Sequence, residues 1–281
     1  MRARTGLAAL ALPALAALAV PAALMATAST ATALTPHHGR LVPAHSGAQL
    51  PLRNADTSSL NWAGYAVTGT SLTGVTQSWV VPTAGLVPPG FSSTWAGIGG
   101  YTSSDLIQAG TEQDSLPLTG PQYQAWWETL PDAETPITSG CTGDPTCTVA
   151  PGDHMSVDIH QTANNVWTIV MTDAGKWTWT KTNLAYTSTH SSAEWIHEAP
   201  TLIVQTTLAG TGTTYIGKSA SSDAGNTYTV SGGTPAPIAA GAPVSIDMGT
   251  GIVNEAITSA LSPSSAFNVC AYALSCAAPA S

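Results

Sequence analysis

His154-Met155-Ser156-Val157-Asp158-Ile159-His160 alternates polar and apolar side chains without a break. A period of two places Met155, Val157 and Ile159 on one face and the polar residues on the other, as in a half-buried β-strand. Trp177-Thr178-Trp179-Thr180 alternates in the same way. Outward from these, residues 76–81, 95–98, 166–172 and 201–207 are short runs rich in β-branched and aromatic side chains, and they too read as strands. Helical spacing is weak and confined to residues 252–261. Many short strands separated by turn residues predict an all-β fold, and the expectation is an antiparallel β-sandwich over residues 58–281.

The two ends of the chain differ from this pattern. Residues 1–28 have the form of a secretory signal: Arg2 and Arg4, then an Ala/Leu-rich stretch, then Ala26-Thr27-Ala28 as a small-x-small cleavage site. Pro13 and Pro21 and that cleavage site favour removal over an uncleaved membrane anchor, so the protein is expected to be extracellular. Residues 29–57 contain Pro36, Pro43 and Pro51, three histidines, Arg40 and Arg53, and Asp56 as their sole acid. They read as a pro-segment or linker.

Charge narrows the partners. Lys and Arg total 7 against 16 acids, for a net charge of −9. Beyond Arg53 the cations are only Lys176, Lys181 and Lys218. Neither a nucleic-acid footprint nor a polybasic membrane patch is present. A chain so poor in fixed cations accumulates little self-repulsion when its carboxylates protonate, which suits an acid environment. The basic residues 29–57 could lie over an acidic cleft near neutral pH and loosen in acid, as a self-inhibitor would. The chain is expected to be a monomer.

Cys141/Cys147 and Cys270/Cys276 form two close pairs, and export permits disulfides. Pairing within each loop is the expectation, although four cysteines allow three connectivities. No zinc-knuckle spacing occurs, and no metal or other cofactor is expected.

Ala193-Glu194-Trp195-Ile196-His197-Glu198-Ala199-Pro200 concentrates charge in a chain that has little. As a strand it places Glu194, Ile196 and Glu198 on one face, with Glu198 at a sheet rim before Pro200. Gln108 closes Leu106-Ile107-Gln108. A carboxylate can take and return a proton, and a side-chain amide can donate to an oxyanion, so the two could cleave an amide with water alone. Trp95, Trp126 and Trp127 could line an apolar cleft. His197-Glu198 lacks the second His of a zincin, there is no G-x-S-x-G elbow, and Asp173-Ala174-Gly175 and Asp223-Ala224-Gly225 read as turns. His154 and His160 could be ligands but fit an exposed strand face better.

Asn61-Trp62-Ala63-Gly64-Tyr65, Trp79-Val80-Val81-Pro82, Trp95-Ala96-Gly97-Ile98-Gly99-Gly100, Leu106-Ile107-Gln108-Ala109-Gly110, Tyr123-Gln124-Ala125-Trp126-Trp127-Glu128, Pro151-Gly152-Asp153 and the 193–198 segment occur in the order seen in another group of proteins. In these motifs the chain resembles the glutamic peptidases (eqolisins, peptidase family G1). The resemblance implies two curved antiparallel sheets, of jelly-roll or concanavalin-like form, with the active site in the concave groove. It implies a Gln/Glu catalytic pair, falling on Gln108 and Glu198. Trp62, Trp95, Trp126 and Glu128 match positions that line the cleft, and Glu112 stands where fungal members have Asp. Those members also carry Asp at the positions of Gly99 and Gln124, and their cysteine pattern differs.

The expected substrates are polypeptides, cleaved without metal and without sensitivity to pepstatin. Two other readings share the sandwich and its tryptophans. A glycoside hydrolase would pair Glu128 with Glu198 and have no use for Gln108. A sugar-binding module would not depend on Glu198 at all.

Overall fold

The computed structural model describes residues 38–40, 42, 55–217, 225–249 and 254–280. The signal-peptide assignment and Asp223 therefore lie outside the described residues. In chain order the strands are β1 Thr57–Ser59, β2 Trp62–Thr68, β3 Leu72–Val80, β4 Ser93–Gly99, β5 Leu106–Leu116, β6 Gly120–Thr129, β7 Thr135–Pro136, β8 Thr142–Gly143 and β9 His154–Ala163. They continue with β10 Val166–Asp173, β11 Trp177–Ala185, β12 Ser192–Glu198, β13 Thr213–Ile216, β14 Thr227–Val230, β15 Ala236–Pro237, β16 Val244–Gly249, β17 Asn254–Thr258 and β18 Phe267–Ala271.

One layer runs β6-β5-β4-β12-β2-β16 and the other β11-β10-β9-β3-β14, every neighbouring pair antiparallel. β17, β18 and β13 carry the ladder from β16 to β3 along one side. β1 joins β16 in parallel. The result is the expected antiparallel β-sandwich, hydrogen-bonded along one side and not closed into a barrel.

Alternation sorts the side chains of the first layer into two apolar clusters. Tyr65 and Val67 of β2, Ala96 and Ile98 of β4, Ile107 and Ala109 of β5, and Trp195 of β12 face the second layer. There they meet Val75 and Trp79 of β3, Met155, Val157 and Ile159 of β9, and Ile169 and Met171 of β10. The Met155/Val157/Ile159 face is the one the alternation predicts. On the opposite face Trp62, Trp95, Leu106, Trp126 and Ile196 form a second cluster, which floors the groove. Trp95 is paired with Gly110, where a Cβ would come within 2.5 Å of the Trp95 Cβ and 2.2 Å of the Thr94 carbonyl oxygen. A glycine at 110 thus leaves room for the indole in that floor.

Two local expectations fail. Residues 201–207 form bends with one Thr201–Gln205 bridge. Their polar groups turn back on the chain, Thr206 Oγ1 donating to the Pro200 carbonyl at 2.6 Å, and Ile203 and Val204 are exposed. Within the described part of 252–261, Asn254–Thr258 is strand β17, held between β16 and β18, so ladder pairing on both sides overrides a weak helical spacing. Asp173-Ala174-Gly175 closes the β10–β11 hairpin, with Gly175 at φ +79°. Cys141–Cys147 and Cys270–Cys276 are disulfides, each within its own loop.

Candidate active site

Register lays out the groove. Glu198 pairs with Trp62 on one side and Ser93 on the other, and Ser93 pairs with Glu112. Four residues away along the strands, Glu194 pairs with Gly97, Gly97 with Gln108, and Gln108 with Glu128. A period of two puts all of these on the face that carries the tryptophan floor. Trp127 points the other way and packs with Trp179 beneath Lys181, so it is no part of the cleft.

Glu198 is fully buried. Its Oε2 accepts from Trp95 Nε1 at 2.7 Å and its Oε1 from Asn61 Nδ2 at 3.2 Å. Gln108 is also fully buried, and its Nε2 donates to Glu128 Oε2 at 2.8 Å. A carboxylate partner fixes which end of the amide is nitrogen, and the second N–H of that nitrogen is then aimed away from Glu128.

That second N–H is occupied by the N-terminal segment. Gln108 Nε2 lies 2.8 Å from the carbonyl oxygen of His38. The His38 ring is stacked on Trp126, with centroids 3.7 Å apart and planes at 9°. Its Nδ1 is 3.3 Å from Glu198 Oε2, its Nε2 is 3.0 Å from Glu134 Oε2, and Glu112 Oε1 is 3.6 Å from Nε2. Trp62 Nε1 donates to the Gly39 carbonyl at 3.0 Å and Asn61 Nδ2 to the Arg40 carbonyl at 3.1 Å. The Val42 amide donates to Asn61 Oδ1 at 2.9 Å. Arg40 is exposed and takes part through its carbonyl, so the inserted side chain is an imidazole and not a guanidinium.

Burial works against charge on His38, but hydrogen bonds to Glu112, Glu134 and Glu198 and the charge of Glu198 outweigh it and hold the imidazole well above its ordinary range. Both ring nitrogens then donate. Burial raises Glu134 to about 7, with the His38 hydrogen bond opposing it, and raises Asp114 to about 8, reinforced by Glu112. So many buried carboxylates cannot all ionise together. Glu194 is held well above the carboxylate range by burial, which keeps it protonated. His197 faces the inter-sheet core, bonded to Thr94 Oγ1 at 3.0 Å and Thr211 Oγ1 at 3.2 Å, and burial lowers it to about 4.

The structure therefore brings Gln108, Glu198, Trp62, Trp95, Glu112, Trp126 and Glu128 to one groove. Asn61, Asp114, Glu134 and His38 join them without having been singled out. Asp114 follows from Glu112 by alternation, whereas Glu134 comes from the turn after β6 and no periodicity marks it. His38, Glu112 and Glu134 each bring a ligand atom within 4.8 Å of the others. An ion there would need a neutral imidazole nitrogen, and the surrounding carboxylates favour the protonated ring. His154 and His160 are six residues apart on β9, about 20 Å along a strand, too far to share an ion.

No curated protein matches the chain by sequence. Solved structures match its fold. Scytalido-glutamic peptidase, crystallised with a transition-state analogue inhibitor, is 14% identical with a TM-score of 0.59, over 75% of this chain and 98% of that one. SCP-B, an eqolisin complexed with the tripeptide Ala-Ile-His, is also 14% identical, with a TM-score of 0.55 over the same shares. The sequence profile of the Peptidase A4 family matches residues 60–251, which contain Gln108, Glu198 and every groove residue named above except His38. On that match the chain belongs to the Peptidase A4 family, the glutamic peptidases or eqolisins of family G1.

Proposed function

We propose that this chain is the precursor of a secreted, acid-acting endopeptidase. Glu198 is its general base and acid, Gln108 its oxyanion donor, and residues 29–57 its inhibitor. One observation carries the reading: a peptide carbonyl, that of His38, sits on the free N–H of Gln108 while the same residue's ring sits on Glu198.

In the reaction, ionised Glu198 takes a proton from water as its oxygen bonds to the carbonyl carbon. The carbonyl oxygen becomes an oxyanion, stabilised by the Gln108 N–H, which Glu128 holds in position. The C–N bond then breaks and Glu198 gives its proton to the departing amine, leaving a carboxylic acid and an amine. Trp95 Nε1 and Asn61 Nδ2 hold the carboxylate through both transfers. An ordinary glutamate titrates near about 4.3, so a glutamate base favours an acid optimum. With the His38 imidazole on Oε2, Glu198 cannot receive a water there, which gives the pro-segment its inhibitory contact.

The test is hydrolysis of a denatured protein by the secreted, acid-matured protein in the presence of pepstatin. Cleavage that continues supports the reading. An absence of cleavage at every acid pH tried would remove it.

A further inference from the structure

Three loops meet outside the groove, at the end of the sheet where Glu198 lies. Residues 82–92 are bridged to residues 207–210 at Gly85–Gly210 and Phe91–Leu208, and to the β5–β6 hairpin at Gly90–Ser115. The Gly210 amide also donates to the Pro88 carbonyl at 3.2 Å. A cavity of about 290 Å³ opens among them, with Pro89, Phe91, Leu116, Pro117, Thr206 and Thr207 in its wall. On the same three loops Leu86, Val87, Leu118, Ile203 and Val204 are exposed, Val87 by 85% and Leu118 by 98%.

The apolar side chains stand outward because the polar groups of the loop turn inward. Thr201 is bridged to Gln205, the Leu202 amide donates to the Val204 carbonyl at 3.2 Å, and Thr206 Oγ1 donates to the Pro200 carbonyl. Residues 82–92, 115–121 and 199–211 contain no Asp, Glu, Lys, Arg or His. The groove beside them carries Glu112, Asp114, Glu128, Glu134 and Glu198. An uncharged apolar surface gathered from three loops marks a contact site.

Its position ties it to the groove. Ser93 and Glu112 lie in one row with Glu198; Phe91 precedes Ser93 by two residues, Ser115 follows Glu112 by three and Pro200 follows Glu198 by two. Two or three residues are about 7–10 Å along a strand. The chain in the groove leaves it on this side: the Val42 amide is on Asn61 Oδ1, and the Asn61 carbonyl accepts from the amide of Ala199, where the loop to Ile203 and Val204 begins.

We infer that this patch is an exosite that holds an apolar stretch of an unfolded polypeptide, outside the groove and on the amine side of the cut, the side on which residues 39–42 lie. This rests on the peptidase reading above and adds how a long substrate is gripped. A membrane fits less well, since the three loops offer no cation to a headgroup. With nothing to titrate, the patch grips alike at every pH, whereas the acid-lined groove does not. Contact far from the reacting bond acts equally on ground and transition states, so it lowers KM and leaves kcat unchanged.

The test uses matured enzyme and a peptide that it cleaves, extended on the amine side by about ten residues, up to about 33 Å of chain. One extension alternates Leu and Val with Ser; the other is Ser and Gly alone. KM for the apolar extension should be about tenfold lower at equal kcat, the scale of partly burying one or two of these side chains. The ratio should hold between about pH 3 and about pH 5.5 and in high salt, and fall toward one when Val87→Ser, Leu118→Ser, Ile203→Ser and Val204→Ser are combined. Turnover of the unextended peptide should be the same in this variant as in wild type. A ratio of one in wild type, or a ratio retained in the variant, overturns the exosite and leaves the peptidase reading standing. Fluorescence anisotropy of the labelled apolar extension reads the patch without turnover, with weaker binding expected in the variant. Absence of cleavage of every peptide would therefore remove the peptidase reading while the anisotropy still decides the patch. Dimerisation in ultracentrifugation or binding to zwitterionic vesicles, lost in the variant while the extension ratio persists, would give the patch to a second copy or a membrane and overturn the proposal.

Discussion

Gln108 and Glu128 face each other on neighbouring strands, and a 2.8 Å hydrogen bond from Gln108 Nε2 to Glu128 Oε2 fixes the orientation of the Gln108 amide. An amide free to rotate would present its oxygen to the substrate carbonyl half of the time, and that contact is repulsive. Glu128 therefore acts through Gln108. In Glu128→Gln the partner can offer either end of an amide, and the fixed orientation is lost. We expect kcat to drop by about tenfold to a hundredfold, less than the loss of a whole oxyanion donor, with KM little changed. A rise in KM at constant kcat would instead make Glu128 a substrate contact.

The pro-segment is expected to act through His38. Full-length precursor should be inactive near neutral pH and mature when acidified, because protonation of the carboxylates around His38 removes the partners that hold its ring. His38→Ala should mature faster and at higher pH, whereas Arg40→Gln should behave as wild type, since Arg40 contributes a carbonyl. Maturation followed by gel and N-terminal sequencing distinguishes these outcomes. Full activity in unprocessed wild-type precursor at its pH optimum would end the inhibitory reading.

Stability of the matured domain should fall as pH rises from acid toward neutral. Glu134, Asp114, Asp173, Glu194 and Glu255 all have folded-state values raised above their unfolded ones by burial, and removal of His38, which opposes the rise at Glu134 and Asp114, adds to it. Their contribution is complete below the unfolded carboxylate range and is lost as pH climbs through the raised values. His197, lowered to about 4, has the opposite sign: its contribution is present above about 6.5 and lost as pH falls through about 4. Five acids against one histidine leave the net slope negative between about pH 4.5 and about pH 7. Thermal unfolding across that range checks it, and a Tm that rises with pH would contradict the assignment of these acids as protonated. Glu194→Gln should flatten the slope while preserving most activity.

Prolonged EDTA treatment should leave activity unchanged, in the precursor's maturation as well as in turnover. Loss restored by zinc would instead make His38, Glu112 and Glu134 a metal site in the precursor, or show an unassigned one in the mature enzyme.

The fold was legible because period-two alternation is a strong signal when one face of each sheet is buried, as Met155, Val157 and Ile159 show. It failed at 201–207, where β-branched residues sit in a loop whose Gln205 and Thr206 side chains donate back to the carbonyls of Ala199 and Pro200 just before it. Gln108 and Glu198 were picked out by their motifs, and Trp126 as a cleft tryptophan and by the family resemblance; the structure sets all three on one face. Trp127 was misplaced in the cleft although alternation separates it from Trp126. Glu134 and His38 were not legible: the first enters from an aperiodic turn, and the second meets a carboxylate 160 residues away in sequence.

The most direct measurement is the kcat of matured Gln108→Ala and Glu198→Gln on an unfolded protein substrate, each variant processed in trans and checked for native thermal unfolding. We expect Gln108→Ala to lose about 10²–10³ in kcat, as removal of one oxyanion donor does. Glu198→Gln should lose about 10² or more, since it removes the carboxylate that takes and returns the proton. Near-normal turnover in either folded variant would contradict the Gln108/Glu198 mechanism.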